Sequence, residues 1–319
     1  MQRYIFRRLL LAVATVFGVT ILIFVAMRIL PGDPLEMIFG ENIGIYLLTE
    51  KELEDSRKSL GLDKPLVVQY LSWMADVGRG DMGSSFWTDQ PISDTILRRG
   101  PVTMQIGILS VALSWLVGLP VGIVAAAWRN SPIDYIARFF ITLFMAIPAF
   151  WLGLTAILCT VLFFSYKPPI TVHQIWTDPW KNFQIILGPS IVMGIGLGAS
   201  IARMARTQLL EVYREDYVRT ARSKGLREKT VMWRHVLRNA LLPVITVSGL
   251  QFAFLLGGSV AVERAFSVPG LGTALVFGIE ERDWMVIQNL VLLYGVVFVI
   301  INLVVDLAYA VIDPRIRYQ

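Results

Sequence analysis

The sequence predicts an all-α membrane protein with six transmembrane helices and cytoplasmic N and C termini. Three observations lead to this prediction: an apolar composition, the grouping of apolar residues into six long runs, and arginine and lysine in alternate loops. Of the 319 residues, 55% are hydrophobic and 17% are charged, whereas soluble domains average about 45–50% and about 25%. The composition therefore favours a chain that lies largely in lipid.

The six apolar runs are each long enough to cross a membrane. A helix needs about 20 apolar residues to span a hydrocarbon core of ~30 Å. The runs lie at Leu9 to Leu30 and at residues 102–127, 138–164, 184–204, 240–262 and 286–310. The first resembles a signal peptide in its basic start, but it is long, and "MRILPGDP" has no small-x-small cleavage site. We interpret it as a retained membrane helix.

Lysine and arginine of the short loops set the orientation. Basic residues mark the cytoplasmic side of a membrane helix. In a six-span chain the basic segments all fall on one side, while residues 31–98, rich in Asp and Glu, fall on the other. The basic residues are Arg3, Arg7, Arg8, Arg129, Arg138, Arg214, Arg219, Arg222, Lys224, Arg227, Lys229, Arg234, Arg238, Arg315 and Arg317. The formal charge of +5 follows from this asymmetry and does not indicate nucleic-acid binding.

Catalysis and metal binding have little support in the sequence. Cys159 is the only cysteine, and the two histidines, His173 and His235, lie far apart, so we predict no metal site. The dipeptide Gly-Lys does not occur, so the chain lacks a phosphate-binding P-loop. A membrane protease would use Ser84 or Ser85 with one of these histidines, but no supporting nucleophile context is visible. We predict no catalytic residues and no cofactor bound by this chain.

Residues 31–98 are the long outward segment. They contain an acidic, helix-forming stretch, "LLTEKELEDSRKSLGL", and then a short amphipathic element followed by glycine turns, "KPLVVQYLSWMADVGRGDMGSSF". This segment is either a solvated connector or a cap over an outward opening. We place the first transmembrane helix and this segment in residues 1–101, and a five-helix core in residues 102–319.

Some residues inside the spans have a plain structural interpretation. Gly118 with Gly122, and Gly194 with Gly198, have the small-xxx-small spacing that lets helices approach closely. Pro120, Pro148 and Pro189 fall within or near helices and permit kinks. Arg28 and Asp306 lie close enough to an interface to snorkel or to pair locally.

A densely basic segment between the fourth and fifth spans, residues 205–239, is here called the basic hairpin. Leu210, Tyr213, Tyr217 and Ala221 follow helical spacing, as do Trp233, Leu237 and Leu241. Gly225 lies between the two stripes and, because glycine readily takes positive φ, predicts a turn between two helices. Physical argument alone leaves a lipid-bound interfacial helix and a docking element for a cytoplasmic partner equally open.

Ordered motifs along nearly the whole chain resemble the permeases of binding-protein-dependent ABC importers, in the dipeptide/oligopeptide/nickel branch. "DYVRTARSKG" followed by "RHVLRNALLPVIT" is similar to their EAA loop, although Arg219-Thr220 stands where Glu-Ala is usual. The other motifs are "RILPGDP", "SLGLDKPLVVQYLSW", "GDMGSS", "SIARMARTQLLEV", "VERAFSVPGLG", "RDW" and "NLVVDLAYAVIDPRIRY". The resemblance implies a type I importer (MetI-like) fold and the B-type subunit of a permease pair.

The resemblance also implies roles for particular residues. By position, the coupling element that seats in an ATPase groove covers Arg219, Thr220, Ala221 and Gly225. Our own hypothesis, based on side-chain chemistry, is that Tyr213, Tyr217 and Ala221 fill the groove, and that Arg219, Arg222 and Lys224 fix the register.

The outward loop "VERAFSVPGLGTAL" is the second candidate site. Its Pro269-Gly270 pair favours a turn and Gly272 adds a flexible point. We expect either a plain turn or an extracytoplasmic gate or binding-protein contact formed by Phe266, Pro269, Gly270 and Gly272.

The partners and the cargo follow from the same resemblance. It implies a second homologous permease, two ABC ATPase subunits that bind ATP and Mg, and an extracytoplasmic substrate-binding protein. The complex would lie in a bacterial or archaeal inner membrane. The implied cargo is short peptides; nickel, opines or another small solute would use the same architecture. An ion-driven secondary carrier is the alternative of a different class, but no clear inverted repeat is visible.

Overall fold

The structure is a computed structural model that describes residues 2–29, 54, 57–58, 61–166, 169 and 171–312. These residues are predominantly helical, with an isolated antiparallel bridge between Ser84 and Pro91. The helices are α1 (Gln2–Ile29), α2 (Leu66–Gly78), α3 (Ile92–Ala127), α4 (Pro132–Ala146), α5 (Ala149–Phe164), α6 (Pro179–Val212), α7 (Asp216–Ser223), α8 (Glu228–Thr230), a π-helical segment (Val231–Val236), α9 (Leu237–Ala265), α10 (Leu271–Glu280) and α11 (Trp284–Ile312). The all-α prediction is confirmed for the described residues.

Four helices are individually long and apolar enough to cross a membrane: α1, α3, α6 and α11. Two further spans are bent pairs, α4 with α5, and Glu228–Phe252 with Gly257–Ala265, so the described residues provide up to six spans. This number agrees with the predicted six.

The predicted run at residues 138–164 is not one straight helix. α4 and α5 meet at an angle of 99°, with Ile147 in an extended conformation (φ −81°, ψ 124°) before Pro148. Proline disfavours helical geometry in the residue before it and lacks the N–H that would continue the helix. The hydropathy of the run is continuous, but its backbone is interrupted at this proline.

Glycines bring α3 and α6 together in the most extensive of the described helix pairs. A Cβ at Gly118 would lie 2.9 Å from the Gly198 Cα, and one at Gly122 would lie 2.6 Å from the Ala202 carbonyl oxygen. The small-xxx-small spacing therefore serves helix packing, as predicted.

An ion pair joins the start of α4 to the C-terminal part of α6. The start of α4 follows one predicted cytoplasmic loop, and the end of α6 precedes another. Arg206 donates to both carboxylate oxygens of Asp134 at 2.7 and 2.8 Å, and Asp134 is fully buried. The Asn130 N–H donates to the same carboxylate. Bidentate geometry of this kind fixes orientation as well as distance.

The outward segment packs on α1 and α11 through α2, which is the amphipathic element that the sequence predicts. Trp73 is buried against Phe24, and its indole N–H donates to Asn289. Arg28 pairs locally, as expected: it donates to the side-chain oxygens of Gln288 (2.6 Å) and Gln69 (3.2 Å). Most of the predicted acidic helix and the side chain of Asp306 fall outside the described residues.

Candidate functional site

The basic hairpin turns at Gly225, which has φ +77°. The Leu226 N–H donates to the Ala221 carbonyl and the Gly225 N–H to the Arg222 carbonyl. These two bonds form a Schellman motif, which ends α7 with a glycine in the left-handed region. An added Cβ at Gly225 would meet nothing within 4 Å, so the glycine is required by its backbone conformation and not by crowding. The predicted turn is confirmed.

The two predicted apolar stripes are not continuous helix faces. The chain bends between the end of α6 at Val212 and the start of α7 at Asp216, so Leu210 and Ala221 belong to different helices. The second stripe crosses the π-helical segment, whose i→i+5 bonding changes the angle per residue. Trp233 in this segment is 57% exposed, whereas Leu237 is buried.

The base of the basic hairpin is one apolar cluster that joins three spans. It contains Ala126 of α3, Leu209 of α6, Val218 and Ala221 of α7, Val231 and Val236 of the π-helical segment, and Leu237 and Ala240 of α9. Tyr213 is half-buried against it. A displacement of α7 would therefore act on α3, α6 and α9 together, because packed interiors transmit strain.

This cluster changes the role expected for Ala221. Only 5% of Ala221 is exposed, so its side chain packs inside this chain and does not present itself to a groove on another protein. Tyr213 also makes its contacts mainly inside this chain: it is half-buried, and its hydroxyl donates to the Met232 sulfur at 3.2 Å. Tyr217, at 40% exposed, is the aromatic residue of the predicted set that reaches the surface.

Polar contacts hold α7 to the next helices. Asn239 donates to the Tyr217 hydroxyl at 2.7 Å and also to the His235 carbonyl. Across the Gly225 turn, Arg222 donates to both carboxylate oxygens of Glu228, at 2.6 and 3.2 Å. These bonds raise the pKa of the Arg222 guanidinium above its usual value, while burial raises the pKa of the Tyr213 hydroxyl.

The outer surface of the basic hairpin is exposed and positively charged. Arg219, Thr220, Lys224 and Gly225 are all exposed, and Arg219 makes only a solvent-exposed contact with Asp216 at 3.4 Å. Eight Lys or Arg lie between residues 214 and 238, against three Asp or Glu. The predicted site residues thus divide into a buried base, with Ala221, and an exposed basic face that suits an acidic partner surface.

The outward loop between α9 and α10 is firmly packed. The ring of Phe266 lies between Gly153 of α5 and Gly188 of α6; a Cβ at either glycine would lie 2.7 Å from a ring carbon. Ser267 has φ +53°, so the turn begins one residue after Phe266, before Pro269. Gly270 and Gly272 lie against the Glu263 carboxylate. Phe266, Pro269 and Gly270 lie in the connection between α9 and α10, and Gly272 lies in the first turn of α10. The four predicted residues are close in the chain, although they do not share one surface.

Two outward acidic residues were not singled out from the sequence. Glu263 is fully buried and Asp283 is 2% exposed. The Ser85 hydroxyl (2.6 Å) and the Phe86 N–H (2.9 Å) donate to the Asp283 carboxylate, which ties the outward segment to the α10–α11 connection. Both carboxylates lie inside recognised motifs, "VERAFSVPGLG" and "RDW", but local pattern gives no indication that their partners lie far away in the sequence.

Comparison with known proteins identifies the family. Residues 118–318 match the family described as "Binding-protein-dependent transport system inner membrane component", and residues 1–107 match the family of N-terminal regions of such components. The chain belongs to this family. It is 39% identical to the glutathione transport system permease protein GsiC of Escherichia coli K12 over 319 residues, which is 100% of both chains. The GsiC protein of Pectobacterium atrosepticum is equally similar, with the same coverage.

Solved structures confirm the fold. An inward-facing form of the MetNI methionine ABC transporter gives a TM-score of 0.59 at 18% identity, covering 70% of this chain and 99% of that chain. An amino acid ABC transporter with histidines gives 0.53 at 17% identity, covering 67% and 92%. The protein is an ABC importer permease of the peptide/nickel branch, a multi-pass membrane component of the MetI-like fold.

Proposed function

We propose that this permease forms half of the translocation pathway for short peptides delivered by an extracytoplasmic binding protein. A second homologous permease would form the other half. Two ABC ATPase subunits would bind ATP and Mg and dock on the basic hairpin. The assembly would lie in the inner membrane of a bacterium or archaeon. The family described as a binding-protein-dependent transport system component supports an importer permease over an ion-driven carrier.

The geometry of the basic hairpin is the observation that supports coupling. Its exposed residues, Tyr217, Arg219, Thr220 and Lys224, face outward, while Ala221 and Val218 anchor it on the ends of three spans. A partner that binds the exposed face differently in two states would shift the equilibrium between two arrangements of the spans. Arg222 would act indirectly, because its bonds to Glu228 hold the turn in shape.

The peptide cargo is supported by the relatives. GsiC is named for glutathione transport, and glutathione is itself a short peptide. Nickel, opines or another small solute would use the same architecture and are the alternative cargo. The cargo of an importer is also set by its binding protein, so the class of peptide has to be measured.

The first experiment measures ATP hydrolysis by the importer complex reconstituted in membranes with its binding protein. Dipeptides, longer peptides and Ni²⁺ are titrated separately. We expect stimulation by peptides. Stimulation only by Ni²⁺ would overturn the cargo, and a chain that associates with no ATPase would overturn the coupling proposal.

The second experiment tests the turn of the basic hairpin. Gly225→Val places a β-branched residue in the left-handed region, which costs an L-residue about 1–2 kcal/mol, whereas asparagine tolerates this conformation better. We expect Gly225→Val to lower peptide uptake per ATP hydrolysed and Gly225→Asn to retain most of it. Equal coupling in the two variants would show that the turn does not matter.

A further inference from the structure

A fully buried carboxylate, that of Glu263, lies at the outward end of α9. The Thr103 hydroxyl of α3 donates to it at 2.8 Å, and the Thr273 N–H of α10 donates at 3.2 Å. The Ser259 hydroxyl lies 3.4 Å away, and the Gly272 N–H also donates. All of these groups are donors, so the Glu263 carboxylate accepts hydrogen bonds from α3, from α10 and from its own helix, α9.

These contacts cap α10 with side chains from other helices. The first N–H groups of a helix have no partner within it, and a side chain at the N-cap position usually accepts from them. The N-cap of α10 is Gly270, which has no side chain. Glu263 accepts from two of the free N–H groups instead, and the Thr103 hydroxyl accepts from a third, that of Leu271, at 2.8 Å. A carboxylate is also favoured there by the helix dipole.

The glycines of this turn are needed to admit the carboxylate. A Cβ at Gly272 would lie 2.8 Å from Glu263 Oε2, and one at Gly270 would lie 2.7 Å from the Thr103 hydroxyl oxygen and contact Glu263 as well. The two glycines of the "PGLG" sequence therefore leave the space that the Glu263 carboxylate occupies. This accounts for the two glycines without requiring that the turn itself be flexible.

The position of α10 connects both ends of the protein. α9 begins in the basic hairpin at Leu237, bends by 60° between Phe252 and Gly257, and ends beside Glu263. α10 leads into Asp283, which holds the outward segment. A movement of α9 reaches α10 through the turn between them and through this cap. The hydrogen bonds to Glu263 and Thr103 join α10 to α9 and α3.

We propose that Glu263 and Thr103 are positioning residues that clamp α10 to α9 and α3. The clamp makes α10 and the outward segment move with the basic hairpin. The proposal rests on the proposed function, because coupling to ATP hydrolysis gives the clamp its purpose. Without the clamp, α10 and the outward segment would move independently of α9. Binding-protein signals and ATP hydrolysis would then be uncoupled.

A thiol-accessibility experiment tests the clamp without requiring transport. In a Cys159→Ala background, which removes the native exposed cysteine, Ala274→Cys places a thiol on the buried face of α10, where Ala274 is 6% exposed. Glu263→Gln should increase the labelling rate of this thiol, because its single side-chain oxygen can accept either from the N–H groups of α10 or from the Thr103 and Ser259 hydroxyls, but not from both. We expect a change of about tenfold, which corresponds to about 1.4 kcal/mol.

Matched variants separate the clamp from general loosening. Thr103→Val removes the hydroxyl and should increase labelling as Glu263→Gln does, while Thr103→Ser keeps the hydroxyl and should not. Ser110→Ala deletes another buried hydroxyl of α3, one that donates to the Ile106 carbonyl, and should leave labelling unchanged. If Glu263→Gln does not fold, the Thr103 pair decides alone. Unchanged labelling in Thr103→Val, or an equal increase in Ser110→Ala, overturns the clamp.

The Glu263 and Thr103 variants are then assayed in the importer complex, without Cys159→Ala and Ala274→Cys. Peptide imported per ATP hydrolysed should fall in Thr103→Val and recover in Thr103→Ser. If labelling changes but this ratio does not, the positioning role is wrong although the clamp exists. If the unmodified complex neither hydrolyses ATP nor imports peptide, the proposed function fails, and the labelling contrast still reports on the clamp.

Discussion

An alanine at Gly118 should separate α3 and α6, which form the most extensive helix pair among the described residues. Gly118 of α3 faces Gly198 of α6, and an added Cβ would lie 2.9 Å from both the Cα and the carbonyl carbon of Gly198. These are backbone atoms, so no flexible side chain is available to move aside. Gly196, two residues away on α6, has nothing within 4 Å of an added Cβ and provides a matched control.

Gly118→Ala and Gly196→Ala should change the free energy of unfolding in opposite directions. Carbon atoms prefer separations of about 3.5–4.0 Å, so α3 and α6 must part by roughly 0.5–1 Å, a gap that forfeits a quarter to a half of each contact energy along the interface. Overpacking of this kind costs about 1–3 kcal/mol. Replacing a helical glycine by alanine in open space instead stabilises by about 0.5–1 kcal/mol.

Unfolding of the purified permease in mixed micelles, titrated with a denaturing detergent, measures both variants. We expect Gly118→Ala to shift the midpoint to lower denaturant and Gly196→Ala to shift it slightly higher. A Gly118→Ala protein as stable as Gly196→Ala would refute the argument, since it would mean that the glycine spacing does not determine how closely α3 and α6 approach.

The ion pair and the α6 cap give two further predictions. Asp134→Leu should cost about 3–5 kcal/mol because it leaves Arg206 partly buried without its anion, whereas Asp134→Leu with Arg206→Met should recover much of that loss; additive losses in the same unfolding assay would contradict this. At the start of α6, the Lys181 N–H lowers the pKa of Asp178 below its usual 3.8, so this cap stabilises above that pH and is lost as the pH falls through the lowered pKa. The hydrogen-exchange protection factors of the first turn of α6, which compare the observed rate with the intrinsic rate at the same pH, should therefore fall in acid, and Asp178→Asn should remove most of that pH dependence.

The local sequence was sufficient to predict the spans and the turn of the basic hairpin. Apolar runs of about 20 residues require a helix in lipid, because no water is present there to satisfy the backbone. Gly225 sits between two helix-forming stretches, and its positive φ of +77° follows from the freedom of glycine. The same local chemistry explains the break before Pro148, which hydropathy alone does not reveal.

The positions of Ala221 and Glu263 were decided only by tertiary structure. Helical spacing places Ala221 on an apolar face but cannot say whether that face meets a partner or the same chain; here the ends of α3, α6 and α9 cover it. Glu263 reads as a surface residue in "VERAFSVPGLG", yet it is buried because Thr103, 160 residues earlier, and the first turn of α10 supply its donors. Contacts between residues distant in sequence depend on how the helices assemble, and local periodicity carries no information about that assembly.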